Sequence, residues 1–160
     1  MAGFKRFVEA YERREHVFYM DECVFSSGQV KPKVWFHALS GPVVRAKKKV
    51  GFKAIAVAGA IDHTGKLVAH LLRERSIDAD AFMEFLHRLK DHIGRKRAVL
   101  LLDNLGVHRT KAVRELARKL GIELVYNGTY SSNFMPIERL WGWAKHHFTR
   151  ECAKNAPYHD

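Results

Sequence analysis

The chain has 160 residues, 47% of them hydrophobic, which is enough for one globular domain with its own core. It carries 28 Lys and Arg residues against 17 Asp and Glu residues, and the resulting net charge of +11 favours nucleic acid as a partner. Cys23 and Cys152 fit neither a zinc motif nor a disulfide framework, and charges interrupt every apolar stretch that could span a bilayer. With no signal peptide recognisable, we expect an intracellular protein.

The first predicted elements are a helix and a buried strand. Residues 4–14 place apolar side chains at i, i+3, i+4 and i+7, which is the pattern of an amphipathic helix. Residues 16–20 form a continuous β-prone run that ends in Asp21 and Glu22. Because such a run is typical of a central strand, the sequence predicts that these two acids lie where the strand emerges from the sheet.

The middle of the chain predicts a hairpin, a helix and a second buried strand. Residues 54–61 and 66–73 form the two strands of the hairpin, and a tight turn joins them. A helix follows, capped by Asp78 or Asp80 and ended by Gly94. Residues 98–102 are the most apolar run of the chain, and Asp103 and Asn104 follow it directly.

The last predicted elements are a helix, a strand and a final helix. The first helix spans about residues 110–120, the strand spans residues 122–126, and the final helix starts near Pro136. This order of elements predicts an α/β fold with an RNase H-like mixed sheet flanked by helices. A flavodoxin-like or Rossmann domain is the structural rival, but no glycine-rich fingerprint follows a strand.

Three acids stand at positions suited to metal chemistry. Asp21 and Asp103 each follow a buried strand, and Glu138 lies in the first turn of the final helix. Carboxylates that meet at one sheet edge repel each other unless a cation lies between them, which is how an all-oxygen magnesium site forms. Each acid alone has an ordinary explanation as a turn residue, a helix cap or a partner of the helix dipole.

The ordered set resembles the catalytic core of DDE transposases of the mariner superfamily and its bacterial insertion-sequence relatives. The matching features are Asp21, the segment from Asp103 to His108, and the segment from Tyr130 to Trp141, with 34 residues between Asp103 and Glu138. Met135 departs from the family pattern, which usually has Asn there, and Asn133 is the alternative helix cap.

The resemblance implies a DDE-type transposase that cleaves DNA strands and transfers them to a new site. It further implies two Mg²⁺ or Mn²⁺ ions held by Asp21, Asp103 and Glu138. Glu22 points away from Asp21 in an extended strand, so we expect it, with Asn104 and His108, to orient the ligands or the phosphate. A solvent-exposed loop histidine is the alternative for His108.

Basic and aromatic residues are candidates for contact with DNA. The predicted phosphate contacts are Arg45, Lys47, Lys48, Lys49, Lys145 and Arg150, although a charge run can also be a solvated surface. Trp35, Trp141 and Trp143 invite a base-stacking interpretation, but the position of Trp141 on the apolar face of the final helix favours core packing.

We therefore predict a single catalytic domain over residues 1–160, with residues 1–15 as an N-terminal helix or linker remnant. No helix-turn-helix module is recognisable, so transposon-end recognition is expected from a separate domain or chain, with double-stranded DNA as substrate and a homodimer as a possible assembly. The expected location is the cytoplasmic nucleoid of a bacterium or the nucleus of a eukaryote. Two rival functions are an RNase H-like nuclease acting on RNA–DNA hybrids and a domesticated DNA-binding module without catalysis.

Overall fold

The computed structural model describes residues 2–13, 15–26, 54–127 and 135–154. Within these ranges the chain forms a mixed sheet with helices on both faces. The strands are β1 His16–Ser26, β2 Ala54–Asp62, β3 Leu67–Glu74, β4 Ala98–Leu102 and β5 Ile122–Tyr126, and the helices are α1 Ala2–Glu12, α2 Ala79–Ile93, α3 Lys111–Leu120 and α4 Ile137–Lys154. A 3₁₀ turn, Gly106–Arg109, lies between β4 and α3.

The strand order across the sheet is β3-β2-β1-β4-β5. The first three strands pair antiparallel, while β1 with β4 and β4 with β5 pair parallel. β4 is central and buried along its whole length, as its uninterrupted apolar sequence requires. The predicted mixed, RNase H-like arrangement is confirmed.

The two faces of the sheet carry different helices. Alternate residues of β1 point to opposite faces, so Phe18 and Met20 join the core formed with α2 and α3, while Val17 packs with α1. Further along β1, Cys23 packs against α4 through Trp141. The sheet therefore has α2 and α3 on one face, and α1 and α4 on the other.

β1 is longer than the sequence suggested, because it continues past the two acids to Ser26. Its parallel pairing with β4 ends at Tyr19, while its antiparallel pairing with β2 continues to Ser26. Beyond Tyr19 only Met20 and Cys23 of the strand are buried, and Val24 is 41% exposed. Asp21 thus lies inside a strand and not at its end, which corrects the expectation.

The helix termini follow the predicted signals. The Asp78 carboxylate accepts a hydrogen bond of 2.8 Å from the Ala81 amide and begins α2, so Asp78 and not Asp80 is the cap. Gly94 ends α2, and Gly121, at φ 71°, ends α3 in the left-handed conformation that glycine adopts without strain. These ends fix where β4 and β5 begin.

Candidate functional site

Asp21 and Asp103 come together through the register of the parallel strands. The last recorded pair between β1 and β4 is Tyr19 with Leu101. Asp21 lies two residues beyond Tyr19 and Asp103 lies two residues beyond Leu101, so the parallel register directs both acids to the same end of two neighbouring strands, which lie about 4.8 Å apart. The acids are therefore near each other because both follow the last pair of β1 and β4.

Asp21 is a half-buried carboxylate on the face of the sheet that carries α4. Its Oδ2 accepts a hydrogen bond of 3.1 Å from the indole Nε1 of Trp141. Burial, together with the charges of Glu138 and Asp103, raises the pKa of Asp21 to about 6 against the lowering effect of the hydrogen bonds from the Glu22 backbone and the Trp141 indole. The three predicted acids therefore share one electrostatic environment.

Glu138 reaches this environment from the first turn of α4. The helix is entered through hydrogen bonds from the Glu138 amide to the Met135 carbonyl, 3.0 Å, and from the Arg139 amide to the Pro136 carbonyl, 3.2 Å. Met135 is buried against Ile137, so it anchors the helix start by packing where the family pattern has a polar cap. Asn133, the predicted alternative cap, lies outside the described residues.

His108 connects two acids from the opposite face of the sheet. Its Nε2 lies 2.9 Å from Glu22 Oε1, and its Nδ1 lies 2.9 Å from Asp103 Oδ1. The side chain is 1% exposed, and its ring packs on Phe82 with centroids 4.3 Å apart. The expectation of a solvent-exposed loop histidine is wrong, because the 3₁₀ turn directs this ring into the core.

The two contacts of His108 differ in kind. The Glu22 contact has hydrogen-bond geometry, whereas Nδ1 approaches Asp103 at ion-pair distance without a hydrogen-bond direction, so that contact is electrostatic. Burial alone would lower the pKa of His108, but the interactions with Asp103 and Glu22 outweigh burial and raise it to about 9. Glu22 points away from Asp21, as predicted, and the imidazole of His108 lies between Glu22 and Asp103.

Trp141 and Gly59 complete the site, and the sequence analysis missed both roles. Gly59 pairs with Asp21 across β1 and β2. A Cβ added at Gly59 would lie 2.8 Å from Cη2 of Trp141, so the absence of a side chain lets the indole lie flat on the strand and reach Asp21. The available signals were a glycine inside an apolar strand and a buried tryptophan that needs a partner for its N–H.

The predicted DNA-contact residues divide into three groups. Lys145 lies near the site, since its charge and hydrogen bond lower the pKa of the Cys23 thiol against the larger raising effect of burial. Arg150 is exposed on α4. Asn104, which was predicted to orient the ligands or the phosphate, is exposed in the segment after β4. Four basic residues and one tryptophan lie outside the described residues, namely Arg45, Lys47, Lys48, Lys49 and Trp35.

The other two tryptophans have different surroundings. Trp141 is buried, as predicted, whereas Trp143 is 62% exposed and its ring packs on His147 with centroids 4.1 Å apart.

A family model described as DDE superfamily endonuclease matches residues 16–157, which is most of the chain. The chain belongs to the DDE superfamily of endonucleases. No curated protein matches it at a significant level. The match covers Asp21, Asp103 and Glu138, so all three acids lie within the segment that is typical of this endonuclease family.

Solved structures of Mos1 transposase share the fold of this DDE endonuclease chain. The Mos1 mariner paired-end complex with Mn superposes with a TM-score of 0.71 at 19% identity, covering 92% of this chain and 47% of that chain. The pre-cleavage Mos1 transpososome gives 0.70 at 17% identity, covering 91% and 47%. The Mos1 catalytic domain gives 0.62 at 16% identity, covering 92% and 68%. The chain thus has the RNase H-like fold and spans about half the length of the Mos1 chains in the complexes.

The carboxylate oxygens of the three candidate acids, Asp21, Asp103 and Glu138, suit a hard divalent cation. Carboxylate oxygens are the ligands that Mg²⁺ and Mn²⁺ prefer, and the mutual repulsion that raises the pKa of Asp21 is relieved when a cation lies among the acids. Among the described residues, no group of three or more His, Cys, Asp or Glu side chains is gathered closely enough to hold a metal ion. The acids are therefore electrostatic neighbours, but they do not surround a common point.

None of the helices in the described ranges is both long and apolar enough to cross a bilayer.

Proposed function

We propose that this chain is the catalytic domain of a DNA transposase, which cleaves DNA strands and transfers them with the help of divalent metal ions. One observation carries the proposal. The charges of Asp103, after β4, and of Glu138, in α4, both act on the half-buried Asp21 of β1, at the end of the sheet where the pairing of β1 with β4 stops. Membership of the DDE endonuclease family and the likeness to the Mos1 complexes support the same conclusion.

Asp21, Asp103 and Glu138 would hold two Mg²⁺ or Mn²⁺ ions. The similar Mos1 structures include paired-end complexes with Mg and with Mn. Such ions supply Lewis-acid stabilisation of a phosphodiester and lower the pKa of an attacking water or 3′-hydroxyl. The number of ions and the identity of their ligands in this chain belong to the proposal.

The protein groups around the acids keep the carboxylates in place. Trp141 fixes one oxygen of Asp21 and ties α4 to β1. His108, which contacts both Glu22 and Asp103, orients the Asp103 carboxylate from the other side. Lys145 adds a positive charge near Cys23, where it can attract the phosphate of a bound strand.

The partner of the site is double-stranded DNA, comprising the transposon ends and the target. The Mos1 structures that share the fold include a complex with a left transposon end and a strand transfer complex. Recognition of the ends falls to a separate DNA-binding domain or chain, and a homodimer would bring two ends together. Such an enzyme acts in the nucleoid of a bacterium or in the nucleus of a eukaryote.

The deciding experiment replaces Asp103 by Asn, which removes a charge and keeps the volume. We expect Asp103→Asn to lose cleavage of a DNA duplex in Mg²⁺ or Mn²⁺ while its thermal unfolding stays close to that of the parent. Asp91→Asn is the matched control, because Asp91 is an exposed acid on α2, outside the site. Equal cleavage by parent and Asp103→Asn would refute the site.

The substrate arm of the experiment separates the rival functions. A parent protein that cuts an RNA–DNA hybrid and leaves duplex DNA intact would be an RNase H-like nuclease. A parent protein that binds duplex DNA but cuts neither substrate would be a DNA-binding module without catalysis.

A further inference from the structure

A groove lined by arginines lies along the edge of the sheet, between α3 and β5. We call it the arginine groove and define it by Arg97, Arg114, Arg118 and Tyr126. Its volume is about 310 Å³, and Leu124 lies at its floor between the two elements. The groove is on the face of the sheet that carries α2 and α3, so it is distinct from the surface that α4 covers.

The positive charge of this groove is not neutralised by nearby acids. Within the described part of the chain, no carboxylate lies at ion-pair distance from Arg97, Arg114 or Arg118. Glu123 is the acid that borders the groove, and its Oε2 lies 2.7 Å from Arg6, so a fourth arginine already engages it. The charge of Arg97 acts at longer range on Glu15, so Arg114 and Arg118 are the guanidinium groups of the groove that lack an anionic partner.

Helix stabilisation does not account for these arginines. A cation in the last turn of a helix interacts favourably with the dipole, which explains Arg118. Arg114 lies one turn earlier, where the dipole effect has faded. Gly121 already satisfies the last carbonyl groups of α3 through its amide. An anion supplied from outside the chain explains both arginines at once.

Contacts through the interior connect one end of the groove to the candidate acids. It begins at Arg97, before β4, and it ends at Tyr126, whose ring lies 5.8 Å below the guanidinium of Arg109. The Tyr126 hydroxyl donates a hydrogen bond of 2.8 Å to the His108 carbonyl, and His108 contacts Asp103. A chain of direct contacts thus joins the end of the groove to the site.

The length of the groove suits a nucleic-acid backbone. β5 has five residues, which span about 13 Å at 3.3 Å per residue. One strand of a duplex carries a phosphate about every 3.4 Å of helix axis, but the strand winds around that axis, so consecutive phosphates lie farther apart than this rise and about two or three of them fit along β5. The planar guanidinium fork of arginine also matches the two free oxygens of a phosphodiester.

We propose that the arginine groove binds the phosphate backbone of duplex DNA that flanks the bond to be cut. The proposal takes DNA as the ligand from the proposed function, and it adds a second contact surface away from the acids. The contacts go to phosphates, so the groove positions the duplex and does not read its sequence.

The test compares two double variants that remove the same charge. Arg114→Gln with Arg118→Gln alters the groove, while Arg73→Gln with Arg88→Gln alters an exposed pair that contacts Glu84 near the opposite edge of the sheet. Affinity for two unrelated DNA duplexes is measured against salt concentration. We expect the slope of log affinity against log salt to become shallower by about 0.9 for each lost phosphate contact, equally for both duplexes.

Three outcomes would refute the proposal that the groove binds DNA. The first is a change of slope no larger in the groove variant than in the control variant, and the second is a loss of affinity for only one of the two duplexes. The third is displacement of DNA by inorganic phosphate or a mononucleotide at submillimolar concentration. The variant with Lys at both positions keeps the charge and should retain the slope, and a thermal unfolding curve of the Gln variant close to that of the parent shows that the Gln variant is folded.

The cleavage assay separates this proposal from the proposed function. A parent protein that binds DNA through the groove but cuts no duplex in Mg²⁺ or Mn²⁺ refutes the function and leaves the groove standing. A parent protein that cuts DNA with the slope unchanged in the groove variant refutes the groove alone.

Discussion

Replacement of Gly59 by Ala tests whether the indole of Trp141 sets the position of α4. The added Cβ would lie 2.8 Å from Cη2 and 3.1 Å from Cζ2 of Trp141. Carbon atoms pack at about 3.5–4.0 Å, so the ring must move by about 1 Å. Overpacking of this size costs about 1–3 kcal/mol in the free energy of unfolding.

Movement of the Trp141 ring also changes the positions of the candidate acids. Trp141 binds Asp21 on β1 and lies one turn after Glu138 on α4, so a displaced ring changes the distance between these two carboxylates. A misplacement of about 1 Å at a reacting centre can reduce the rate about a hundredfold. We therefore expect Gly59→Ala to cleave DNA about a hundredfold more slowly, in an assay of strand nicking with Mn²⁺.

Gly142→Ala is the matched control for this prediction. Gly142 lies on α4 itself, and a Cβ there meets no atom within 4 Å. Ala has a higher helix propensity than Gly, so this variant should gain about 0.5–1 kcal/mol of stability and keep its cleavage rate. The control thus adds the same methyl group, but on α4 and away from the site.

A double-mutant cycle of Gly59 and Trp141 tests whether Trp141 positions α4 through Gly59. Trp141→Phe removes the atoms that collide with the new Cβ, so Gly59→Ala should cost less stability in that background than in the parent. If Gly59→Ala cuts DNA at the parental rate, or if its cost is the same in both backgrounds, Trp141 does not position α4 through Gly59.

Three further predictions follow from the charged groups. Glu138→Gln should reduce cleavage by orders of magnitude, whereas a residue that serves only the helix dipole would change stability by about 0.3–1 kcal/mol and leave cleavage intact. His108→Phe keeps the ring volume but removes the partner of two carboxylates, so urea unfolding should reveal a loss of about 1–3 kcal/mol, and no loss would contradict the bridge. Arg6 lowers the pKa of Glu15 through a hydrogen bond, so this stabilisation is present above about pH 4.3 and fades as pH falls. Arg6→Gln should therefore flatten the decline of melting temperature below that pH, and an unchanged decline would argue against the pair.

The parts of the fold with local signals were predictable from the sequence. The apolar run of β4 and the acid that follows it required only a buried central strand. Asp78, Gly94 and Gly121 marked the helix ends because each satisfies backbone groups that a helix leaves unpaired. These signals act over a few residues, so neighbours in the sequence are enough to interpret them.

The contacts that complete the candidate site were not predictable in the same way. The hydrogen bond from Trp141 to Asp21 joins residues 120 positions apart, and the contact from His108 to Glu22 joins residues 86 apart. The sequence suggested core packing for Trp141 and left His108 undecided, since local periodicity carries no information about such partners. The extension of β1 to Ser26 also depends on its pairing with a different strand, β2.

The separation of 120 residues between Asp21 and Trp141 also bears on the order in which the domain assembles. Closing such a long loop costs more chain entropy than forming the β2–β3 hairpin, so docking of α4 is expected to come late. Glu138 travels with α4, whereas the other two acids are positioned by the sheet. If α4 docks last, the sheet forms with Asp21 and Asp103 in place, and the three candidate acids come together only in the final step of folding.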